Sequence, residues 1–414
     1  MISGVRGTRD IVLDEIEQWQ RLERVVREIC HRYGYHEIRT PIIEREELFS
    51  KGSGESTDIV QKEMYVFEDK GGEKITLRPE ATPSMVRALV EHSLEQELPT
   101  AKIYSLGPMF RYERPQKGRY RQFHQLDVEA FGIESAALDA EVIEMAVQIV
   151  NGLGIKDIDL VINSVGCSAC RPDFTKALLN ELGSRVSELC GDCQRRSKTN
   201  PLRIFDCKVH NDQSVIDTLP HTIDHLCSSC RTHFSEVREI LDRFKLDYKV
   251  SHRLVRGLDY YMRTTFEILG NSIGAQDALL GGGRYDGLVK VLGGPDRAGI
   301  GFAAGLERLV MAMPDESRET LLTDAYVVAI GDKARMPAQI LTRDLRHAGL
   351  SAVVDLEAKS PRAQMKRADR TNASHVVILG EDELEQDLVS VKRMDTGEQE
   401  TILRADIINY LRRE

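Results

Sequence analysis

The sequence lacks the segments that would place it in a membrane or direct its export. No uncharged run approaches the roughly 18 residues that a membrane-spanning helix needs. The opening MISGVRGTRDIVLDE contains no apolar core of a secretion signal. Glycine and proline, at 31 and 13 of 414 residues, show no excess, which excludes collagen-like and low-complexity chains. We therefore expect a folded, cytoplasmic protein that does not bind membranes, with about two to four domains.

The chain also lacks an excess of basic over acidic residues. The chain has 56 basic and 66 acidic residues, a net charge of −10 with histidine neutral. This excludes a generally basic surface for nucleic acid, although it allows a local basic patch.

Cysteine, in contrast, is concentrated in one region. Six of the eight cysteines form three C-x-x-C pairs, Cys167 with Cys170, Cys190 with Cys193, and Cys227 with Cys230. Without an export signal, such pairs are typical of metal ligands or reduced thiols rather than disulfides. The first two pairs have the spacing of a structural Cys₄ zinc site, in which the third pair could replace either. Reduced thiols are the alternative.

Local patterns outline the first half of the chain. Apolar residues from Ile16 to Ile29 recur at helical spacing, and Gly34 is a candidate stop. HEIRTPII predicts a strand that Pro41 confines to an edge or to a partner-facing position. Residues 101–132 predict a β-hairpin, and residues 133–153 a helix.

The second arm of that hairpin predicts two different faces. Alternation places Phe123, Gln125, Asp127, Glu129 and Phe131 on one side, and His124, Leu126, Val128 and Ala130 on the other. We expect one face to meet the core and the other to form a site.

Later segments indicate an insertion and a second domain. Residues 166–232 are rich in thiols and broken by turns, which predicts an insertion. After them come a predicted strand, YYMRTTFEIL (260–269), and a glycine-rich stretch, LLGGGRYDGL. The next segment, GIGFAAGLERLVMAM, predicts a strand, a turn and a helix. The polar stretch around 314–323 is a candidate linker. Beyond it, strand and helix patterns alternate, which predicts a small α/β domain.

The residues 111–121, RYERPQKGRYR, form the densest charge cluster, with five basic residues, one acid and a local charge of +4. A solvated loop is the simplest interpretation. The nearby rings of Tyr112, Tyr120 and Phe123 favour a nucleotide site instead, since cations meet phosphates and a ring can stack on a base.

Other phosphate motifs are weak or missing. No G-x-x-x-x-G-K-[ST] occurs, so a P-loop is excluded. Residues 299–304 match G-x-G-x-x-A, but without βαβ units around them, and we expect these glycines to permit close backbone approach.

Several long segments together resemble histidyl-tRNA synthetase, a class II aminoacyl-tRNA synthetase. They are GVRGTRDI, TLRPEATPSMVR, FRYERPQKGRYRQFHQLDVEAFG, LVRGLDYYMRTTFE, GGGRYDGL and GIGFAAGLERL. The class I signatures HIGH and KMSKS are absent. The resemblance implies an ATP-dependent ligase that forms histidyl-adenylate and transfers histidine to tRNA(His) for protein synthesis.

The resemblance also implies the site residues. Arg111 and Arg256 would be catalytic, neutralising the α-phosphate from two sides. The implied histidine site is Glu80, Ala81, Thr82, Arg111, Gln125, Glu129, Arg256, Tyr260 and Tyr261. The implied ATP site is Arg111, Glu113, Arg119, Phe123 and Arg308, with Mg²⁺ on the phosphates. A surface helix arginine is the alternative for Arg308.

Within the implied histidine site, Glu129 and Tyr261 match the imidazole contacts, whereas Glu80, Thr82 and Gln125 match those to the α-amino group. The hairpin alternation independently places Gln125 and Glu129 on one face. Ala81, Pro83 and Met262 depart from the usual family pattern, and the first two could reshape the loop over the α-amino group.

The implied fold class is α+β. An antiparallel-sheet catalytic core would occupy residues 1–165 and 233–318, the cysteine-rich insertion 166–232, and an anticodon-binding α/β domain 324–414. The family is a homodimer, and residues 14–45 fit its interface. Six basic residues of the C-terminal domain are candidate tRNA contacts, although solvated helix faces explain them equally well: Arg343, Arg346, Lys359, Arg362, Lys366 and Arg367.

Two other functions compete. A catalytically silent relative that senses histidine or tRNA generally lacks the RGLDYY arginine and the C-terminal domain, and this chain has both. A zinc-based nucleic-acid binder would explain the cysteines alone.

Overall fold

The computed structural model describes residues 2–54, 57–98, 100–116, 118–271, 278–314, 323–357 and 359–412. The chain divides into two compact units, Met1–Arg318 and Glu319–Glu414. Apart from its ends, the predicted linker around 314–323 lies outside the described residues. None of the helices in these ranges is both long enough and apolar enough to cross a membrane.

An eight-stranded, largely antiparallel sheet forms the centre of the first unit, in the order β1-β5-β6-β11-β10-β9-β7-β8. Its strands are β1 (His36–Glu37), β5 (Ala101–Phe110), β6 (Gln122–Phe131), β7 (Ile158–Ser164), β8 (Lys249–Val250), β9 (Met262–Gly270), β10 (Ala278–Arg284) and β11 (Gly299–Gly305). A second sheet has the order β2-β4-β3. Its strands are β2 (Ile43–Arg45), β3 (Tyr65–Glu68) and β4 (Lys74–Leu77). The α+β class is confirmed.

The helices of this unit have the following bounds: α1 (Asp14–Arg32), α2 (Glu46–Ser53), α3 (Thr82–Glu91), α4 (Leu94–Glu97), α5 (Ala136–Gly152), α6 (Arg171–Leu182), α7 (Gly191–Thr199), α8 (Gln213–Ile216), α9 (Ser228–Arg243), α10 (Leu288–Val291) and α11 (Leu306–Ala312). A π-helical turn covers Ile59–Glu63. The insertion adds 3₁₀ turns at Gly183–Glu188, Pro201–Asp206, His210–Asp212 and Thr222–His225.

The predicted hairpin is confirmed, with β5 and β6 antiparallel from the pair Ala101–Phe131 to the pair Phe110–Gln122. Its predicted faces are also present. Leu126, Val128 and Ala130 join the main core with residues of α1, α5 and α9. The opposite side of β6 carries Gln125, Asp127 and Glu129 between Phe123 and Phe131 and forms part of the site.

The single strand predicted for HEIRTPII was wrong. The segment divides into β1, which pairs in parallel with β5, and β2, which pairs antiparallel with β4. Pro41 lies between them and belongs to neither strand. Because proline has no N–H to donate to a ladder, the chain changes sheets there.

The second unit contains a five-stranded sheet in the order β13-β12-β14-β15-β16. Its elements are β12 (Thr323–Ala329), α12 (Asp332–His347), β13 (Ala352–Val354), α13 (Pro361–Arg370), β14 (Ala373–Leu379), α14 (Glu381–Glu385), β15 (Leu388–Arg393), β16 (Gln399–Leu403) and α15 (Ile407–Leu411). The alternation of strands and helices from β12 to β14 was predicted. The antiparallel pair β15–β16 was not.

Candidate functional site

A cavity of about 1230 Å³ in the first unit collects most of the predicted site residues. It lies on the polar side of β6, between α3, the 111–121 loop and the RGLDYY segment. The predicted residues that line it are Glu80, Thr82, Arg111, Glu113, Arg119, Phe123, Gln125, Arg256, Tyr260, Tyr261 and Arg308. Ala81 and Glu129, buried to 0% and 2% exposure, are not among the described lining residues.

One end of the cavity is cationic. The Arg111 guanidinium lies 5.2 Å from the centre of the Phe123 ring, and its Nε donates to the Pro79 carbonyl at 2.9 Å. Arg119 Nη1 lies 3.3 Å from the Glu113 carboxylate, and Arg111 Nη1 lies 3.9 Å from it. The hairpin loop thus places two arginines, a carboxylate and an aromatic ring together, as a nucleotide site requires.

Arg256 reaches the same end of the cavity from the RGLDYY segment. Its Nη1 donates to Glu267 Oε1 on β9 at 2.7 Å. A Cβ at Gly281 would lie 2.3 Å from Arg256 Nη1, so the glycine of β10 makes room for the guanidinium. Burial is the largest influence and lowers the pKa of Arg256, but Glu267, Tyr261 and Tyr260 together raise it by more, and the net shift is upward.

Arg308 is not a surface helix residue. It is half-buried, and its Nη1 donates to the Ala278 carbonyl at 2.7 Å. Burial and the charge of Arg119 lower its pKa. A cation held in this way favours an anion beside it, because an anion would offset both desolvation and repulsion.

The other end of the cavity carries buried carboxyl groups. Glu80 is 4% exposed and accepts hydrogen bonds from the hydroxyls of Ser53 and Tyr260, the latter at 2.9 Å. Burial raises the pKa of Glu80 despite these donors. A cationic group, such as an amino group, would relieve this cost.

Glu129 lies behind the cavity wall. It accepts from the Thr82 hydroxyl at 2.6 Å and from the Tyr285 hydroxyl. Burial raises its pKa to about 8. A Cβ at Gly301, its partner on β11, would lie only 1.7 Å from Glu129 Oε2. The prediction that these glycines permit close approach is confirmed.

Tyr260 and Tyr261 complete this end, with ring centres 4.7 Å apart. The side-chain oxygen of Gln125, Oε1, is buried and has no hydrogen-bond partner among the described residues. Such a group is costly unless a ligand satisfies it. The site therefore offers cations to an anion and, next to them, carboxyl groups and an amide oxygen to donors.

Comparison with known proteins agrees with this geometry. A family profile described as "Histidyl-tRNA synthetase" matches residues 7–309. A protein from Solibacter usitatus called histidine–tRNA ligase is 49% identical over 408 residues, covering 98% of each chain. Another with this name, from Syntrophotalea carbinolica, is 47% identical over 401 residues, covering 97% of this chain and 96% of its own.

The chain belongs to the histidyl-tRNA synthetase family.

Structures of family members agree. The apo histidyl-tRNA synthetase of S. aureus has a TM-score of 0.84 and 39% identity, covering 99% of this chain and 100% of its own. The Nostoc histidyl-tRNA synthetase, at 23% identity and a TM-score of 0.70, covers 100% of this chain and 99% of its own and shows the same fold. A profile described as "Anticodon binding domain" matches residues 324–414.

Three residues near the site were not predicted as part of it. Glu267 pairs with Arg256, Tyr285 donates to Glu129, and Asp127 is buried on β6 with no hydrogen-bond partner in the described chain. Burial raises the pKa of Asp127 to about 8. Alternation along β6 had placed Asp127 on the site face. Glu267 and Tyr285 lie within the quoted segments LVRGLDYYMRTTFE and GGGRYDGL, but nothing in the sequence showed which side chains they contact.

The cysteines do not form the predicted group of Cys167, Cys170, Cys190 and Cys193, and the third pair replaces the second beside Cys167 and Cys170, as the spacing allowed. Cys167 and Cys170 do not meet Cys190 and Cys193. The first group, called here the neck cluster, is Cys167, Cys170, Cys227 and Cys230. The second, the inner cluster, is Cys190, Cys193, Cys207 and Asp212. The physical reason is that Cys227 and Cys230 begin α9 as the chain leaves the insertion, so they return to where Cys167 and Cys170 enter it.

Most of the basic candidates in the second unit have partners within it. Arg343 pairs with Asp344 at 2.7 Å, Arg367 with Asp355 at 2.7 Å, and Lys359 with Glu357 at 2.8 Å. Arg346 Nε donates to the Ala352 carbonyl at 2.8 Å. Arg362 and Lys366 are exposed on α13. They remain the more accessible candidates for a phosphate contact.

Proposed function

We propose that this chain ligates L-histidine to tRNA(His) in two steps, forming histidyl-adenylate from ATP and then transferring the histidyl group to the tRNA. The observation that carries this proposal is that one cavity brings a group of arginines against buried carboxyl groups and two tyrosines. The two groups meet where the Arg256 guanidinium lies 5.8 Å from the centre of the Tyr261 ring. The phosphates of a nucleoside triphosphate would meet the arginines of such a cavity, and the amino group of an α-amino acid would meet its carboxyl groups.

In the first step, the histidine carboxylate attacks the α-phosphorus and pyrophosphate leaves. Negative charge grows on the α-phosphate oxygens, and fixed cations lower the barrier because they need no reorganisation. Arg111 and Arg256 would flank this phosphate. Arg111 is fixed by Pro79 and Phe123, and Arg256 by Glu267.

ATP would bind across the 111–121 loop. Phe123 would stack on the adenine, Glu113 would accept from its amino group, and Arg119 and Arg308 would hold the outer phosphates. The ion pair of Arg119 with Glu113 must open for this, and phosphate replaces the carboxylate as the partner of the arginine. ATP would arrive with Mg²⁺, for which phosphate oxygens and a nearby carboxylate such as Glu267 are suitable ligands.

Histidine would bind with its amino group towards Glu80, Thr82 and Gln125, and its imidazole towards Glu129 and Tyr261. Both ring nitrogens need polar partners, and such a site strongly rejects side chains that lack them. Burial of these carboxyl groups supports the assignment, since their ionised forms are stabilised by a substrate that brings positive charge.

The second unit would bind the anticodon arm of the tRNA, with Arg362 and Lys366 as accessible phosphate contacts. The 111–121 loop is the candidate reader of the extra 5′ guanosine that this family recognises. The overall negative charge does not conflict with tRNA binding, because binding needs only local cations.

We further infer a homodimer formed through residues 14–45 and the adjacent small sheet. Ile42, Ile43, Val66 and Phe67 are all more than 40% exposed in the single chain. Ile43, Val66 and Phe67 belong to the small sheet and Ile42 precedes it, and exposed apolar side chains in one region are typical of a protein interface.

Amino-acid-dependent exchange of pyrophosphate into ATP, run with each of the twenty amino acids, tests the proposal. We expect exchange with histidine alone, followed by charging of tRNA(His). Folded protein that binds histidine but supports no exchange would contradict the ligase function and favour a silent sensor. Exchange with another amino acid would contradict the histidine pocket.

A further inference from the structure

The neck cluster and the inner cluster are separate, and each brings four potential metal ligands together. Within each cluster the ligand atoms all lie within 4.8 Å of one another. We propose that each cluster binds one structural zinc ion, so that the chain holds two, in a Cys₄ site and a Cys₃Asp site. Neither ion would contact a substrate, and the proposal does not depend on the ligase function.

The sulfur–sulfur distances fit this assignment. Cys167 Sγ lies 3.6 Å from Cys170 Sγ and 3.9 Å from Cys227 Sγ, and Cys190 Sγ lies 3.9 Å from Cys207 Sγ. Tetrahedral zinc with Zn–S bonds of about 2.3 Å places its sulfurs about 3.8 Å apart. A disulfide would need about 2.05 Å. The thiols are thus spaced as ligands of one ion.

Hydrogen bonds around the clusters favour ionised ligands. The Cys227 backbone N–H donates to Cys170 Sγ at 3.1 Å, and the Val209 N–H donates to Cys207 Sγ at 3.4 Å. Such donors stabilise thiolates, which are the form that binds zinc.

Asp212 is the fourth group of the inner cluster. It is 1% exposed, and its two oxygens accept from the Cys190 backbone N–H at 3.1 Å. The Cys207 thiol also donates to it, at 3.2 Å. A zinc ion would displace that thiol proton and take both side chains as ligands. A carboxylate this deeply buried needs such a charge partner.

The small size of the insertion gives the metal a role. Among the described residues, the buried apolar cluster at the neck contains just Cys170, Leu226 and Cys230. The segment between the outermost cysteines is about 60 residues long, a length at which a hydrophobic core alone gives marginal stability. A zinc ion at the neck would join the start and the end of the insertion.

Both clusters adjoin the cavity. Arg171, next to Cys170, donates to the Tyr261 carbonyl. The Arg263 N–H donates to the Gly166 carbonyl at 2.9 Å, so the neck is hydrogen-bonded to the chain that follows the tyrosine pair. Cys207 of the inner cluster lines the cavity wall. Zinc would therefore position the wall of the site from outside it.

Metal analysis of the full-length protein tests the proposal. Protein from zinc-supplemented culture, purified without chelator, is expected to contain two zinc ions per chain. The double variant Cys227→Ser/Cys230→Ser and the double variant Cys190→Ser/Cys193→Ser should each retain one. Cys30→Ser, in α1 outside the insertion, is the matched control and should retain two.

Cobalt substitution keeps the test decisive if a double variant fails to fold. Metal-free wild-type protein should bind two Co²⁺ ions with the intense visible bands of tetrahedral thiolate sites. Asp212→Cys should still bind two, with the inner site's bands shifted towards those of the Cys₄ site. If the protein binds only one zinc ion and one Co²⁺ ion per chain, the two-site proposal is overturned. If it binds no metal, or if Co²⁺ gives only weak octahedral bands, neither cluster is a zinc site.

Discussion

Arg256 and Glu267 form an ion pair that lies over a glycine. Glu267 on β9 is the register partner of Gly281 on β10, and the guanidinium of Arg256 occupies the space that a side chain at position 281 would fill. The sheet therefore positions the proposed catalytic arginine in two ways. The Glu267 carboxylate pairs with it, and the absence of a side chain at Gly281 leaves space for it. A positively charged group fixed in advance stabilises a phosphate transition state better than a mobile one.

Gly281→Ala should consequently impair catalysis without removing any charged group. A methyl group there would displace Arg256, and we expect kcat for histidine-dependent pyrophosphate exchange to fall on the order of 10²-fold, as it should in Arg256→Lys. Gly191→Ala, at a helical glycine with open space around its Cβ position, is the control. Wild-type kcat in Gly281→Ala would contradict this role for Arg256.

Glu129→Gln should impair use of histidine far more than use of ATP. The change removes a carboxyl group that Thr82 and Tyr285 hold and that a bound imidazole would help to ionise. A hydrogen bond to a charged group is worth up to about 3 kcal/mol, or roughly 100-fold. We expect kcat/KM for histidine to fall by about that factor and KM for ATP to stay within about twofold. Steady-state exchange kinetics measure both. Unchanged kcat/KM for histidine would exclude Glu129 as an imidazole contact.

The raised pKa of Glu129 also predicts a pH dependence of stability. Because its pKa is about 8 in the folded protein and ordinary in the unfolded chain, the unfolded chain ionises first as pH rises. Wild-type stability should therefore fall between the ordinary carboxyl pKa and pH 8, by at most about 1.4 kcal/mol per pH unit for one group.

Glu129→Gln isolates this effect because glutamine does not titrate. The difference in melting temperature, variant minus wild type, should increase from pH 5 to pH 8 and level off above it. Glu97→Gln, at an exposed position on α4, should show no such trend. Parallel curves for wild type and Glu129→Gln would show that Glu129 is ionised throughout.

Asp139 joins three elements in the core of the first unit. It pairs with Arg284 at the end of β10, with Nε–Oδ1 at 3.0 Å, and with His233 on α9 at 2.7 Å. Although burial opposes ionisation, these partners lower the pKa of Asp139. Its contribution to stability is therefore present above the ordinary carboxyl pKa and is lost as pH falls further.

Arg284→Met should leave that carboxylate buried and short of its main cation. We expect a loss of about 3–5 kcal/mol in the free energy of unfolding by urea at pH 7. Arg243→Met removes an exposed pair with Glu239, with side chains 76% and 62% exposed, and should change stability by less than about 1 kcal/mol. A loss in Arg284→Met as small as that expected for Arg243→Met would show that the buried pair contributes no more than an exposed one.

The sequence by itself determined the family, the hairpin and eleven of the residues that line the cavity. These follow from short-range information: alternation along β6 separates Gln125 and Glu129 from Leu126 and Val128, and long contiguous motifs identify the RGLDYY and 111–121 segments. These residues could be identified because each motif is contiguous in the chain.

Only the tertiary structure decided how distant residues pair. Glu267 on β9 reaches Arg256 in the irregular segment before that strand. Tyr285, which follows β10, reaches across Gly299 of β11 to Glu129 on β6. The cysteine groups likewise depend on where the insertion begins and ends, so Cys167 meets Cys227 across the neck rather than Cys190. Spacing along a chain specifies which side chains could share an ion, but the closure of a long loop selects which ones do.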